Sequence, residues 1–393
     1  MLIDWPERLC GGAVRMRNFD DWSAAVHGMR PYFTISAEVR LVSVTQSVRR
    51  FLRVSLVACS MLILCSGKTA NAQQFVEPPV PPLPSGEIVA NDLSPTPPVT
   101  MTAGYWIVGT QSSPQNFDKS APVFCPSVTR FDPCTGFRQA HMEELTQSLQ
   151  PHIPVCILSH GSFVGWKDVL TESQETWKWL HHACPAHPIQ MIYFSWPSDR
   201  PVFSPLIQIE VNRLGRRAER NGFYMASLVQ QIPADCPICL IGHSHGTRVI
   251  ASAFHLLGGG SVDGYLLASG VFPQHRLRAV FAASAMDHKW LNPGQRYERA
   301  LCPVECVLNL KNSCDPALMV YPLRHPFSSG ALGFTGTTRR DRKLLGASGN
   351  KMQDLDLTEE IGIGHYWPHY FRRPWLARAI RNYLFFGEQV SNP

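Results

Sequence analysis

Gly242-His243-Ser244-His245-Gly246 sets a serine between two glycines, with a histidine on either side of it. An apolar run, Ile238 to Ile241, precedes it, and Val249, Ile250, Ala253, Phe254 and Leu257 follow at helical spacing. Strand, G-x-S-x-G, helix is the context in which a serine at the tip of a sharp turn becomes a nucleophile. Gly242 and Gly246 are the elbow glycines, kept small where strand and helix nearly touch. The first helical turn presents unpaired N–H groups to an oxyanion developing on a substrate.

A serine hydroxyl needs a base, and the base needs a carboxylate to fix its tautomer. Of the 15 histidines, His365 in Ile363-Gly364-His365-Tyr366-Trp367 is best placed, in a glycine-flanked loop between the last strand and the terminal helix. His243 and His245 flank the serine, and their side chains are expected to diverge from it. For the carboxylate, Asp315 in Asn309-Leu310-Lys311-Asn312-Ser313-Cys314-Asp315-Pro316 is favoured over Asp287 in Ala285-Met286-Asp287-His288. Each follows a strand, where a turn or helix-capping role is the plain alternative. The oxyanion donors are expected to be the backbone N–H groups of His245 and of Ser162, in the HG turn Leu158-Ser159-His160-Gly161-Ser162. His160 and Trp196, the latter in Phe194-Ser195-Trp196-Pro197-Ser198-Asp199, are expected to bind substrate. For Trp196, packing beside the elbow is the alternative.

Cysteine offers a rival chemistry. Cys236-Pro237-Ile238-Cys239 is a C-x-x-C, with Cys302, Cys306 and Cys314 later in the chain. A redox pair belongs at a helix N-terminus after a strand, whereas this one enters a strand. The spacing is too irregular for a zinc site, so no metal is expected.

The elements that position these residues alternate. Strands are expected at Tyr105–Thr110, Val155–Ser159, Ile189–Phe194, the elbow strand, Val262–Ala268, Ala279–Ala285, Val304–Leu310 and Met352–Leu357. Helices are expected at Gln139–Leu149, Asp168–His182, Leu206–Ile232, after the elbow, and at Tyr370–Phe385. Such alternation predicts an α/β fold, a mainly parallel sheet with helices on both faces and ligands beyond the carboxyl ends of the strands. Gly330 to Asn350, rich in Gly, Ser, Thr and basic residues, reads either as a mobile loop beside the site or as a passive insertion.

The chain has 393 residues, 45% hydrophobic and 17% charged, enough for one large domain with extensions. Its net charge of +6 is uneven: residues 1–72 hold nine Lys/Arg against five Asp/Glu, leaving 27 against 25 elsewhere. A near-neutral body without a basic stripe excludes nucleic acid as a partner. Residues 1–47 show no sustained period. Arg49-Arg50-Phe51-Leu52-Arg53, the apolar run Val54 to Cys65 and Ala70-Asn71-Ala72 form the basic, apolar and cleavage regions of a secretory signal peptide at 48–72. Because it begins some fifty residues late, translation is expected to start at Met29 or at a valine, with Val48 best placed. Leu56-Val57-Ala58-Cys59 also resembles a lipobox, a less favoured lipoprotein reading. Residues 73–100 are a proline-rich linker, leaving 101–390 for the domain. The sequence therefore predicts a secreted or periplasmic location, with membrane or cell-envelope association through the N-terminal segment. Nine of the 12 cysteines lie in the body, and in an exported protein several are expected to pair.

FSWPS at 194–198, IGHSHGTRV at 241–249, the N-x-x-x-x-x-D-P-A-L run at 309–318 and the late GHYW resemble a bacterial family of serine hydrolases of unknown substrate, within the α/β-hydrolase superfamily. The order Ser244, Asp315, His365 is that superfamily's order. The resemblance covers roughly 101–390 and implies the α/β-hydrolase fold, a lipase- or esterase-like activity on a small-molecule or lipid ester, and no cofactor. Related sequences commonly read H-S-M-G at the elbow, whereas this chain has His245. A catalytically silent hydrolase fold that binds a partner at the cell surface is the second reading.

Overall fold

The computed structural model describes residues 104–117, 119–183, 187–199, 207–267, 275–324 and 328–386, all within the compact unit Leu62–Pro393. The signal peptide, the proline-rich linker and the candidate start sites lie outside the described residues.

Among the described residues, nine strands form one sheet. They are β1 (Tyr105–Gly109), β2 (Ser127–Asp132), β3 (Gly136–Ala140), β4 (Val155–Ser159), β5 (Gln190–Ser195), β6 (Ile238–His243), β7 (Leu277–Ala282), β8 (Cys306–Lys311) and β9 (Met352–Asp356), in the order β3-β2-β1-β5-β4-β6-β7-β8-β9. From β1 to β9 every neighbouring pair is parallel; only the β1–β2 and β2–β3 pairs are antiparallel. Four long or site-bearing helices matter here: α1 (Met142–Ser148), α2 (Trp166–Ala183), α3 (Ile207–Gln231) and α4 (Gly246–Leu257).

Apolar residues on both faces of a strand select the sheet interior. In β4, Val155 and Ile157 join one core with α3 and α4, while Cys156 and Leu158 join a second core on the other face with α2 and the C-terminal helices. β6 repeats this, with Ile238 and Leu240 on one face and Cys239 and Ile241 on the other. β4 and β6 are neighbours in register, Ser159 opposite Gly242. The HG turn and the serine turn therefore emerge side by side at the carboxyl edge.

Several expectations need correction. The hairpin β2–β3 was not expected, and the helix placed at Gln139–Leu149 begins at Met142, because Gln139 and Ala140 belong to β3. Val262–Leu267 is a turn closed by a Val262–Tyr265 bridge, with Gly264 at φ 83°, rather than a strand; Ala268 lies outside the described residues. The expected terminal helix is three short ones, Pro368–Phe371, Pro374–Ala379 and Arg381–Leu384, since Pro374 cannot donate an N–H to a continuing helix. Gly330–Asn350 is structured: helices Leu332–Thr335 and Arg339–Leu345, the latter opened by a capping box of Thr338 and Asp341. The eight described cysteines of the body are all free, so the expected pairing is absent among them; Cys184 lies outside the described residues. Burial pushes the Cys156 thiol up to about 12 and that of Cys239 well above its ordinary value, which opposes a reactive C-x-x-C thiolate.

Candidate active site

Ser244 follows β6 directly, at φ 52°, a left-handed conformation that costs a non-glycine residue roughly 1–2 kcal/mol. The turn holds it there. Ser244 N–H donates to the Ala282 carbonyl at 2.9 Å, and its own carbonyl accepts from Thr247 N at 3.1 Å and Thr247 Oγ1 at 2.6 Å. The glycines are required by close approach. A Cβ on Gly242 would lie 2.8 Å from Thr247 N, and one on Gly246 would overlap the Ser159 carbonyl oxygen.

His365, in the loop after β9, brings Nε2 to 3.2 Å from Ser244 Oγ, and its Nδ1 lies 2.7 Å from Asp315 Oδ2. Asp315, after β8, is fully buried. Its other oxygen, Oδ1, accepts from the backbone N–H groups of Ala317 at 2.9 Å and Leu318 at 3.2 Å, so it also caps the helix Pro316–Met319. Capping and orienting a histidine use different oxygens of one carboxylate. Asp287 is elsewhere: buried, ion-paired with Arg324 and accepting from Ser329 N at 3.1 Å. It neutralises a guanidinium that lies over the Tyr321 ring, 3.9 Å from its centroid.

The HG turn packs against the serine from the other side. A Cβ on Gly161 would lie 3.0 Å from Ser244 Cβ, and Phe163 at φ 65° bends the chain away. The backbone N–H groups of His245 and Ser162 have no partner among the described residues, leaving both free to meet an oxyanion.

His160 and Trp196 do not line a substrate site. Their side chains are buried, with the rings stacked at 5.6 Å and 7° between planes. Trp196 Nε1 donates to the His160 carbonyl at 2.8 Å, and Trp196 N to His160 Nε2 at 3.2 Å. His160 Nδ1–H then donates to the Gly161 carbonyl at 2.8 Å. Ser198 Oγ completes the brace, donating to the Val164 carbonyl at 3.2 Å. FSWPS thus stands behind the HG turn and fixes its shape. Burial lowers the His160 pKa to about 4, so the brace is uncharged at neutral pH.

Three polar side chains for which the sequence suggested no role hold the site: those of His243 and His245, expected only to diverge from the serine, and that of Asn312. His243 Nε2–H donates to the His365 carbonyl at 2.7 Å, its pKa lowered to about 3, first by burial and then by His365. Asn312 Nδ2 donates to the Gly362 carbonyl at 2.7 Å and lies 3.3 Å from that of Gly364. His245 Nδ1 meets Ser162 Oγ at 2.6 Å. The last of these had a signal, the unusual histidine at position 245, but its partner depends on which loops meet.

A mainly parallel sheet with a serine elbow after β6, an aspartate after β8 and a histidine after β9 is an α/β-hydrolase fold. No protein-family model matches the chain, and no curated protein matches it. Among solved structures the chain is similar to the catalytic core domain of acetyl xylan esterase from Trichoderma reesei, at 12% identity over 60% of this chain and 96% of that one, with a TM-score of 0.32. It is also similar to Zea mays acyl-protein thioesterase 2, at 16% identity over 60% of this chain and 97% of that one, with a TM-score of 0.33.

Proposed function

We propose that the chain is a serine hydrolase acting on carboxylic esters, of the bacterial family its motifs resemble. The observation that carries this reading is the continuous line Ser244 Oγ–His365 Nε2 at 3.2 Å and His365 Nδ1–Asp315 Oδ2 at 2.7 Å, with the serine held at φ 52° on a turn beside unpaired amides. Ser244 Oγ adds to the ester carbonyl carbon, its proton passes to His365 Nε2, and the carbonyl π pair moves onto oxygen. The oxyanion accepts hydrogen bonds from the N–H groups of His245 and Ser162. Collapse restores the carbonyl and breaks the ester C–O bond, and the alcohol leaves with the proton from His365. Water then repeats the sequence on the acyl-enzyme, releasing the acid. Asp315 keeps the proton of neutral His365 on Nδ1, so that Nε2 is free to accept. Exposed Ile363 and Tyr366, on either side of His365, offer apolar surface to an ester.

The test is labelling of the purified full chain with a fluorophosphonate. Expected are covalent labelling of the folded wild type and its loss in Ser244→Ala and His365→Ala. A folded wild type that does not label would sink the reading and leave the silent binding module. Export through residues 48–72 belongs to the same proposal, supported by the basic, apolar and A-x-A order there. N-terminal sequencing of the mature protein should begin at Gln73, and a protein retaining residues 1–47 would refute it.

A further inference from the structure

His245 occupies the position after the nucleophile, and its imidazole is 3% exposed. One nitrogen, Nδ1, lies 2.6 Å from Ser162 Oγ. The other, Nε2, is buried without a hydrogen-bond partner. A buried unpaired nitrogen is costly, and more so as an N–H than as a lone pair when cations face it. Cations do face it. The guanidinium of Arg248 is buried on α4, with Nε donating to the Ala285 carbonyl at 2.6 Å and Nη2 to Tyr321 Oη at 3.0 Å. Its Nη1 packs on the same Gly215 of α3 as the orphan nitrogen: a Cβ there would overlap Nη1 and lie 3.5 Å from His245 Nε2. Burial first, then Arg248 and Arg324, hold the His245 pKa well below its ordinary value. The imidazole is therefore neutral, with its lone pair on the unpartnered Nε2 and its proton on Nδ1, the nitrogen that has a partner.

That tautomer decides what Ser162 does. His245 Nδ1–H donates to Ser162 Oγ, so the hydroxyl is an acceptor in that bond and its own proton is uncommitted. No other group among the described residues hydrogen-bonds Ser162 Oγ. Ser162 follows Gly161, which lies against Ser244 Cβ, and the backbone N–H groups of Ser162 and His245 have no partner among the described residues. We propose that the Ser162 hydroxyl is a third, side-chain donor to the oxyanion, and that the His245 imidazole is the positioning residue that turns it there. No proton is transferred: the hydroxyl gives a hydrogen bond as negative charge develops and relaxes as the carbonyl reforms. The inference rests on the serine-hydrolase reading and extends it, because the histidine in place of the family's usual methionine acquires a use.

The experiment measures, on the full chain, the second-order rate of fluorophosphonate labelling and kcat and KM for p-nitrophenyl butyrate. The variants are Ser162→Ala, Ser162→Thr, His245→Leu and the double Ser162→Ala/His245→Leu, each checked by thermal melting. Removing one oxyanion donor lowers kcat by about 10²–10³-fold. Ser162→Ala should show that loss with KM within about threefold, because the bond forms only in the transition state. Ser162→Thr, which keeps a hydroxyl, should recover at least about tenfold of it. His245→Leu should lower kcat, and the double variant should be no slower than Ser162→Ala alone, because the imidazole acts through the hydroxyl. A Ser162→Ala enzyme within threefold of wild type in both rates overturns the donor. Losses that multiply in the double variant overturn the positioning role. If the wild type labels and Ser244→Ala does not, those outcomes refute this inference alone. A wild type that neither labels nor turns over ester removes the serine-hydrolase reading, and the inference with it.

Discussion

Replacing Asp315 by Asn exchanges one oxygen for an NH2 and separates the two duties of that side chain. Two backbone donors, Ala317 N at 2.9 Å and Leu318 N at 3.2 Å, face Oδ1, and His365 Nδ1 faces Oδ2 at 2.7 Å. An asparagine must keep its oxygen towards the two amides, since the opposite flip would set its NH2 against two N–H groups. Its NH2 then occupies the Oδ2 position and donates to His365 Nδ1. The imidazole proton is driven to Nε2, where it faces Ser244 Oγ and cannot accept the serine proton. Inverting the tautomer in this way costs about 10⁴ in kcat, roughly 5.4 kcal/mol of barrier at about 1.36 kcal/mol per tenfold. The cap survives, because Asn and Asp are nearly equal at that position, so urea midpoints should move by less than about 1 kcal/mol in stability. Fluorophosphonate labelling rates alongside urea unfolding test both halves. Asp287→Ala is the control. It strands the buried Arg324 guanidinium, so it should cost about 3–5 kcal/mol of stability while labelling of the folded protein stays within about tenfold of wild type. An Asp315→Asn enzyme that labels within tenfold of wild type refutes the reasoning, as does an Asp287 variant that is stable and unreactive.

Ser244→Gly and Ser244→Ala should both be inactive yet differ in stability. At φ 52° glycine is unstrained and alanine is not, so the glycine variant should be about 1 kcal/mol more stable by urea unfolding; an alanine variant equal to it would show that the turn is not strained. Acid should destabilise the fold. Burial lowers His160 to about 4 and His243 to about 3, and holds His245 well below its ordinary value, whereas unfolded histidine titrates near 6.5. As pH falls below about 6.5 the unfolded chain takes up protons that the folded chain refuses, so stability is full above that range and drops below it. Three such groups give a loss of about 3–4 kcal/mol between pH 6 and pH 5. Unfolding free energies at pH 8, 6 and 5 that stay level would contradict this.

The sequence made the sheet centre readable because β4 and β6 are apolar on both faces, and a buried parallel strand can hardly read otherwise. The edge was opaque. In β3, Phe137, Arg138 and Gln139 are all exposed, so no burial pattern distinguishes that strand from the start of a helix. The Val262–Leu267 run looks like a strand by its residue types, but Gly264 at φ 83° turns it back on itself. At the site, Ser244, Asp315 and His365 were legible because each follows a strand at one edge. His160 and Trp196 were assigned to substrate for the same reason, but position after a strand does not say which way a ring points. Here the two rings stack on each other and turn inward behind the HG turn.

The turn at Ser244 ties down the loops on both sides of itself. His243 reaches the His365 carbonyl at 2.7 Å on one side, and His245 reaches Ser162 Oγ at 2.6 Å on the other. A lysine or arginine could make the first bond equally well as a donor. It would also bury a positive charge beside His365, and a like charge disfavours the imidazolium that a general base must become. A neutral imidazole donates from Nε2 and adds no charge, and burial that lowers the His243 pKa to about 3 keeps it neutral across the range in which His365 would work. Asn312 meets the same constraint with an amide, donating to the Gly362 carbonyl at 2.7 Å. His365 is thus positioned by uncharged donors, and Asp315, the one charged group bonded to it among the described residues, has the sign that would stabilise an imidazolium in the proposed mechanism.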